Sequence, residues 1–271
     1  MTLPSVFAHL RAHGIEPRKA LGQNFLTDLN ITHKIARAAG DLTGHAIIEI
    51  GPGPGGLSRA ILDAGASRLI AVEQDLRLKS LLDEISCAYP KFSIYYADAL
   101  STDLTALAPA PRRIIANLPY HIATPLLLNW LRQWHHDPTA FASLTLMFQK
   151  EVVSRLIAAP RSKSYGRLSV MTQWICEVQN CFDLPAHVFL PPPKVTSSVA
   201  HFSRRAEIHG RFDKMEHVVA AAFSQRRKTL KKSMKSAFPH IESALSGLEI
   251  PATARAEELS VAQFVDLARA L

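Results

Sequence analysis

Apolar residues in the first half of this chain gather into short unbroken runs, each closed by a small or polar residue. Ala46-Ile47-Ile48-Glu49-Ile50 runs into Gly51-Pro52-Gly53-Pro54-Gly55-Gly56, and Arg68 to Val72 ends at Glu73. A third run near Phe92 to Tyr96 leads into Ala97-Asp98-Ala99-Leu100. A fourth, Arg113-Ile114-Ile115-Ala116, leads into Asn117-Leu118-Pro119-Tyr120, and Ser143 to Phe148 follows. Runs of this length without polar alternation predict strands buried on both faces. Helical stretches separate them. One starts near Asp28 and carries Ile31, Ile35 and Ala39, and Leu57 to Leu62 opens another. Two more run from Pro125 through Leu128 to Leu131 and from Lys150 to Ala158. Strands alternating with helices predict an α/β fold with a parallel sheet covered on both faces.

The pattern changes after Ser164. An apolar segment reaches Trp174, and Cys176 to Leu184 and Val195 to Phe202 predict two further strands. Between them Phe189-Leu190-Pro191-Pro192-Pro193-Lys194-Val195 predicts a stiff extended arm, since each proline fixes its own φ. Polar residues from Ser203 to Arg211 mark a domain boundary, giving units 1–205 and 206–271. Helical sequence dominates the second unit. Val218, Val219, Ala222 and Phe223, then Leu230 and Met234, predict the apolar face of one helical stretch that also carries Arg226, Arg227, Lys228, Lys231, Lys232 and Lys235. At 100° per residue Arg227, Lys231 and Lys235 form one stripe with Lys228 and Lys232 beside it, and no acid interleaves. Such a ridge suits the backbone of a nucleic acid, although a solvated face is the usual origin of a charge run. The last helix opens with a capping box at Ser260 and Gln263.

Composition narrows the class. The 271 residues are 48% hydrophobic and 20% charged, enough apolar material for a full core. The net charge of +8 favours a polyanionic partner. No apolar run approaches the ~20 residues of a membrane span, and no secretory signal pattern opens the chain, so a cytoplasmic protein is expected. The three cysteines, Cys87, Cys176 and Cys181, are expected as core thiols in a reducing compartment. Neither they nor the 12 histidines are expected to hold a metal, and a monomer is expected.

Strand, glycine turn and helix open a nucleotide-binding fold, and an acid ending the second strand accepts both ribose hydroxyls. Gly51, Gly53 and Gly56, with Glu73 22 positions after Gly51, meet the dinucleotide pattern. Pro52 and Pro54, however, each delete a backbone donor that a pyrophosphate needs. A cofactor with an adenosine and an amino-acid tail but no phosphate, such as S-adenosylmethionine, tolerates that loss. Asn117-Leu118-Pro119-Tyr120 brings an amide, a stiff turn and a ring to one sheet edge, as holding a flipped-out adenine requires; an ordinary strand-to-loop turn is the alternative. Asp98 is placed to bond the cofactor's exocyclic amine or to cap a turn, and Phe189 is either an exposed stacking ring or a core residue. Lys194 is a candidate phosphate contact.

Gly-Gln-Asn-Phe-Leu (22–26), Glu-Ile-Gly-Pro-Gly (49–53), Asn-Leu-Pro-Tyr (117–120), Gln-Lys-Glu-Val (149–152), Tyr-Gly-Arg-Leu-Ser-Val (165–170) and Pro-Pro-Pro-Lys-Val (191–195) occur in that order. Together they resemble the ribosomal RNA adenine dimethyltransferase family from about Leu21 to the C-terminus. The resemblance implies a Rossmann-like seven-stranded methyltransferase sheet with a small all-helical C-terminal domain. It implies S-adenosyl-L-methionine as cofactor, no metal, and the small ribosomal subunit and its RNA as partner. The reaction implied is dimethylation at N6 of two adjacent adenosines near the 3′ end of that RNA. Cofactor positions carry over onto Asn24, Leu26, Gly51, Glu73, Asp98 and Asn117, and target-base positions onto Asn117, Pro119, Tyr120 and Phe189. The glycine turn is richer in Gly and Pro than in many members, and Leu190 stands where threonine is usual. Competing classes are a methyltransferase-like ribosome assembly factor, a DNA adenine methyltransferase, and a nicotinamide oxidoreductase, which Pro52 and Pro54 disfavour.

Overall fold

In the computed structural model, residues 3–225 and 227–271 are described. Nine strands are defined among them: β1 (Phe25–Leu26), β2 (Ala46–Ile50), β3 (Arg68–Glu73), β4 (Phe92–Tyr96), β5 (Arg112–Asn117), β6 (Ser143–Gln149), β7 (Cys176–Leu184), β8 (Phe189–Leu190) and β9 (Ser197–Arg204). The α-helices are α1 (Val6–Ala12), α2 (Leu29–Ala38), α3 (Gly56–Asp63), α4 (Lys79–Ala88), α5 (Tyr120–His136), α6 (Lys150–Leu156), α7 (Arg167–Ile175), α8 (Phe212–Ala222), α9 (Leu230–Met234), α10 (Ile241–Gly247) and α11 (Val261–Ala270). Among these residues no helix is long and apolar enough to cross a membrane.

Seven strands form one sheet in the order β4-β3-β2-β5-β6-β9-β7, in which β9 runs against its neighbours and the rest are parallel. The chain leaves β2 toward β3 on one side and returns to β5 on the other. The direction of strand order therefore reverses between β2 and β5, and open α/β sheets bind ligands at the carboxyl ends of such a pair. Gly51 follows β2 there and Asn117 ends β5.

Apolar side chains cover both faces. One cluster holds Val6, Leu10, Phe25, Ile35, Leu57 and Leu81. The other holds Trp130, Trp134, Phe148, Trp174 and Phe202, and continues without a break into Phe212, Val218 and Phe264 of the C-terminal helices. Cys176 is in this core, whereas Cys87 is exposed and Cys181 half-buried, so the expectation of three core thiols holds only for Cys176.

Two local expectations are corrected, and one pairing is added. Helix α5 begins at Tyr120 rather than at Pro125, which lies inside it. Pro119 sits outside the helix at φ −57° and ψ 126°, and its carbonyl accepts from the N–H groups of Ile122 and Ala123 at 3.1 Å each. The helix is thus already nucleated before Pro125 removes one donor from its second turn. The basic stretch is not one helix. Helix α8 ends at Ala222, where the Ser224 hydroxyl donates to the Ala221 carbonyl at 2.8 Å and to that of Ser233 at 3.3 Å. Serine competing for backbone acceptors ends helices in this way. Arg227 and Lys228 lie in the following turn, Lys231 and Lys232 on α9, and Lys235 caps it; Arg226 lies outside the described residues. Finally, the N-terminal leader and the proline arm are joined, because β1 pairs antiparallel with β8, Leu26 opposite Phe189 and Phe25 opposite Leu190.

Candidate active site

At the switch point a cleft of about 870 Å³, counting its open mouth, runs from the glycine turn to the start of α5. The leader (21–26), the turn after β2, Glu73, Asp98 and 117–120 all line it. Of the residues expected to hold cofactor or base, Asn24, Leu26, Gly51, Glu73, Asp98, Asn117, Pro119 and Tyr120 meet here, while Phe189 does not line the cleft.

The turn is shaped by glycines in left-handed conformation: Gly51 at φ 66°, Gly53 at 54° and Gly55 at 75°. A Cβ on Gly53 would stand 3.0 Å from the Phe25 ring, so the leader closes directly over the turn. Gly55 packs inward, where a Cβ would come 2.3 Å from Ile85. Glu73, at the end of β3, is buried and accepts from the N–H groups of Gly53 at 3.3 Å and Asp75 at 2.8 Å. Burial pushes its carboxyl above the usual range and those amides oppose the rise. Asp98 is exposed and accepts from the Leu100 N–H at 2.9 Å, so it does cap a turn while lining the cleft.

Asn117 donates its side-chain Nδ2 to the carbonyl of Asn24 at 3.1 Å. That bond fixes the amide's rotation and ties β5 to the leader, and Oδ1 remains as acceptor. Asn24 in turn donates to the Gly22 carbonyl at 3.2 Å. The Tyr120 hydroxyl pairs with Ser197 Oγ at 2.7 Å, and burial raises its pKa. The leader is held further along by Gln23, which donates to Asp75 at 2.9 Å, and by Arg77, which donates to Asp75 and to the Glu16 carbonyl.

Phe189 is 3% exposed and packs in the cluster with Leu26, because its strand pairs with β1; an exposed stacking ring is not what the fold presents. Lys194 is exposed beside a groove formed with Gln149, Lys150 and Thr196. In the C-terminal unit Arg227, Lys228, Lys232 and Lys235 are exposed, but Lys231 pairs with Glu242 of α10 at 2.8 Å, so an acid does reach the basic ridge through tertiary packing.

Two features have no counterpart in the sequence expectations. Glu49 lines the cleft from within β2, 1% exposed, and takes a hydrogen bond from Ser58 at 2.5 Å. Its place in Glu-Ile-Gly-Pro-Gly was the available signal, hidden because an all-buried strand shows no alternation. His9 on α1 and His13, which caps its C-terminus, stand one helical turn apart, both bonded to Glu84, at 2.7 and 3.0 Å. This cluster resembles a metal site, yet Arg59 Nη2 lies 2.8 Å from His9 Nδ1. Arginine only donates, so Nδ1 accepts and the His9 proton sits on Nε2, given to Glu84. A cation at Nε2 would have to displace it. The cluster is a clasp: Arg59 also donates to the Pro4 carbonyl at 2.6 Å, docking α1 on α3.

Residues 14–271 match the family model described as ribosomal RNA adenine dimethylase. The chain is 54% identical to a "Ribosomal RNA small subunit methyltransferase A" of Paramagnetospirillum magneticum, over 99% of this chain and 95% of that protein. It is 50% identical to the protein of the same description from Rhodospirillum rubrum, over 99% and 93%. Among solved structures, a dimethyladenosine transferase from Plasmodium falciparum matches with TM-score 0.78 and 25% identity, covering 90% of this chain and 95% of that one. The 23S rRNA methyltransferase ErmE matches with TM-score 0.68 and 27% identity, covering 92% and 99%. With its glycine turn, acid-ended β3 and Asn-Leu-Pro-Tyr at the head of α5, the chain belongs to the ribosomal RNA adenine dimethylase family.

Proposed function

We propose that this protein transfers methyl groups from S-adenosylmethionine to N6 of two adjacent adenosines near the 3′ end of small-subunit ribosomal RNA, giving dimethyladenosines. It would act as a cytoplasmic monomer on the small ribosomal subunit, with a role in its biogenesis. The observation that carries this reading is the charge of the groups lining the cleft. Three acids line it, Glu49, Glu73 and Asp98, and no lysine, arginine or histidine does, among the described residues. A pyrophosphate would find no counter-charge there and would lose the donors that Pro52 and Pro54 lack, whereas a cationic, phosphate-free nucleoside fits.

In that assignment Glu73 accepts the ribose hydroxyls, Asp98 bonds the cofactor amine, and Asn24, Leu26 and Gly51 wall its tail. Bound S-adenosylmethionine supplies an electrophilic methyl on a sulfonium. Adenine N6 is a poor nucleophile because its lone pair is delocalised into the ring. Asn117 Oδ1 and the Leu118 carbonyl accept its two hydrogens and turn the lone pair out of the ring plane. The Pro119 carbonyl, already taken by the first turn of α5, is not the second acceptor; Pro119 instead stiffens the turn. Tyr120, fixed by Ser197, offers the ring on which the flipped base lies, a stack worth roughly 1–3 kcal/mol, and Phe189 backs the site through the β1–β8 pair. Nitrogen acidity rises as the new bond forms, so the proton passes to water without a strong base, and the residues act by position and electrostatics. Residues 1–205 then form the cofactor and base unit and 206–271 the RNA-contacting unit, through Arg227, Lys228, Lys231, Lys232 and Lys235, with Lys194 on the first unit.

The test is methyl transfer from labelled cofactor to small ribosomal subunits lacking the modification, with duplex DNA as control. Label recovered as dimethyladenosine in subunit RNA alone is expected. Label in DNA, or none in RNA despite bound cofactor, would refute the substrate assignment.

A further inference from the structure

Glu49 takes no part in the chemistry above, and its surroundings differ from those of the other acids in the cleft. Glu73 receives two backbone N–H groups and Asp98 is open to solvent. Glu49 is 1% exposed, and among the described residues its one hydrogen bond comes from a neutral hydroxyl, Ser58 Oγ of α3. Among the described residues, no neighbouring element supplies a cation. On α3 the next residue, Arg59, turns away to the Pro4 carbonyl and His9. Strand β3 brings Glu73, a like charge, and the segment after β4 brings Asp98. The leader brings Asn24 and Gln23, whose amide is given to Asp75, and β5 brings Asn117, given to Asn24. A carboxylate so placed would be buried, beside another acid, with no counter-charge. Isolated buried charges cost several kcal/mol and are avoided by taking up a proton.

We infer that Glu49 holds a proton in the ligand-free protein and releases it when the cationic cofactor enters the cleft, so that cofactor binding is coupled to ionisation of this residue. The inference rests on the proposed cofactor. The O–H bond of the carboxylic acid breaks, its electron pair stays on the carboxylate, and the proton passes to the buffer. The positive charge brought by the ligand replaces the one that leaves. The cleft would thereby favour a cationic nucleoside over a neutral one of the same shape.

Burial drives the Glu49 carboxyl up to about 8, so at neutral pH the acid form dominates before binding. Because the ligand favours the ionised form, affinity rises with pH up to about that value and then levels. Titration calorimetry with S-adenosylmethionine, at pH 7 in phosphate and in Tris, reads the protons released from the buffer dependence of the heat. Release of more than about half a proton per cofactor is expected at pH 7, and Kd should fall as pH rises toward 8. Glu49→Gln keeps an acceptor for Ser58 and should bind with no proton release and no pH dependence over this range. Infrared difference spectra should show a carboxylic-acid carbonyl band lost on binding in the natural protein and absent from the variant. Equal heats in both buffers for the natural protein, or proton release undiminished in Glu49→Gln, would overturn the inference while leaving the cofactor assignment intact. Failure to bind the cofactor at any pH would overturn both.

Discussion

Replacing Asn117 with alanine separates two jobs that one side chain performs. The Nδ2 donor ties the leader to β5 through the Asn24 carbonyl at 3.1 Å, and Oδ1 faces the substrate amine in the proposed mechanism. Losing the tie removes one hydrogen bond in a half-buried setting, about 1 kcal/mol, which is at most about fivefold in cofactor Kd if the leader passes the whole loss to the cofactor. Losing the acceptor removes a preorganised polar group that acts at the reacting nitrogen, which is worth about 10²–10³ in rate. Calorimetry should therefore show cofactor binding within about fivefold of normal, and single-turnover methylation at saturating cofactor should fall at least about a hundredfold. Asn117→Asp sharpens the separation. It keeps an oxygen toward the amine but sets a second acceptor against the Asn24 carbonyl, so the leader tie is lost and much of the rate returns. A normal single-turnover rate in the alanine variant would refute the acceptor role. A rate loss that disappears at saturating cofactor would reduce Asn117 to a fastening for the leader.

Glu73→Ala should weaken cofactor binding by about 10–100-fold in calorimetry, since it deletes the proposed ribose acceptor and frees the Gly53 and Asp75 amides; unchanged Kd would remove Glu73 from the ribose. Gly53→Ala forces a left-handed φ of 54° on a residue with a Cβ and drives that atom to 3.0 Å from Phe25, so thermal unfolding should show a loss of about 1–2 kcal/mol with weaker cofactor binding. Changing Arg227, Lys231 and Lys235 together to Gln should weaken RNA binding and flatten its salt dependence, less than three free cations would, because Lys231 is already paired with Glu242; an unaltered slope would return the ridge to plain surface. The raised Glu49 carboxyl also makes a stability prediction. A folded-state value near 8 against an ordinary 4.5 means the folded form holds the proton longer than the unfolded chain, so this contribution is full below 4.5 and is lost as pH rises through 8. Unfolding free energies from denaturant titrations at pH 5 and pH 8 should differ in the ligand-free natural protein by the order of a few kcal/mol, and far less in Glu49→Gln.

The sheet and the cleft's position were legible because strands buried on both faces need continuous apolar runs and must stop where the backbone turns to the site. Ile47, Ile48 and Ile50 before Gly51, and Ile114 and Ile115 before Asn117, say both things at once. Local signals with a fixed partner distance also survived, as at Asp28, which caps α2 through the Asn30 N–H, and at Ser260 with Gln263. What stayed hidden depends on residues far apart in the chain. Phe25-Leu26 and Phe189-Leu190 are each too short to carry a strand period, and each exists as a strand only because the other lies beside it. The acid on the basic ridge, Glu242, is supplied by a different helix, and Ser224 breaks the ridge through a bond to Ser233.

The same division runs through the site. Residues that end strands announce themselves, and those that shape the ends from behind do not. Gly51, Glu73 and Asn117 sit where a run stops, so their position alone marks them. Glu49 sits within a run and looks like an interruption of it, and only the fold shows that the carboxyl is sealed against Ser58 beside Glu73. Pro119 illustrates the converse. The sequence marks it as part of the site, but the fold commits its carbonyl to Ile122 and Ala123, so the proposed mechanism takes its second acceptor from Leu118. Sequence position thus selects which residues face the cleft, while tertiary hydrogen bonding decides which of their atoms are still available for chemistry.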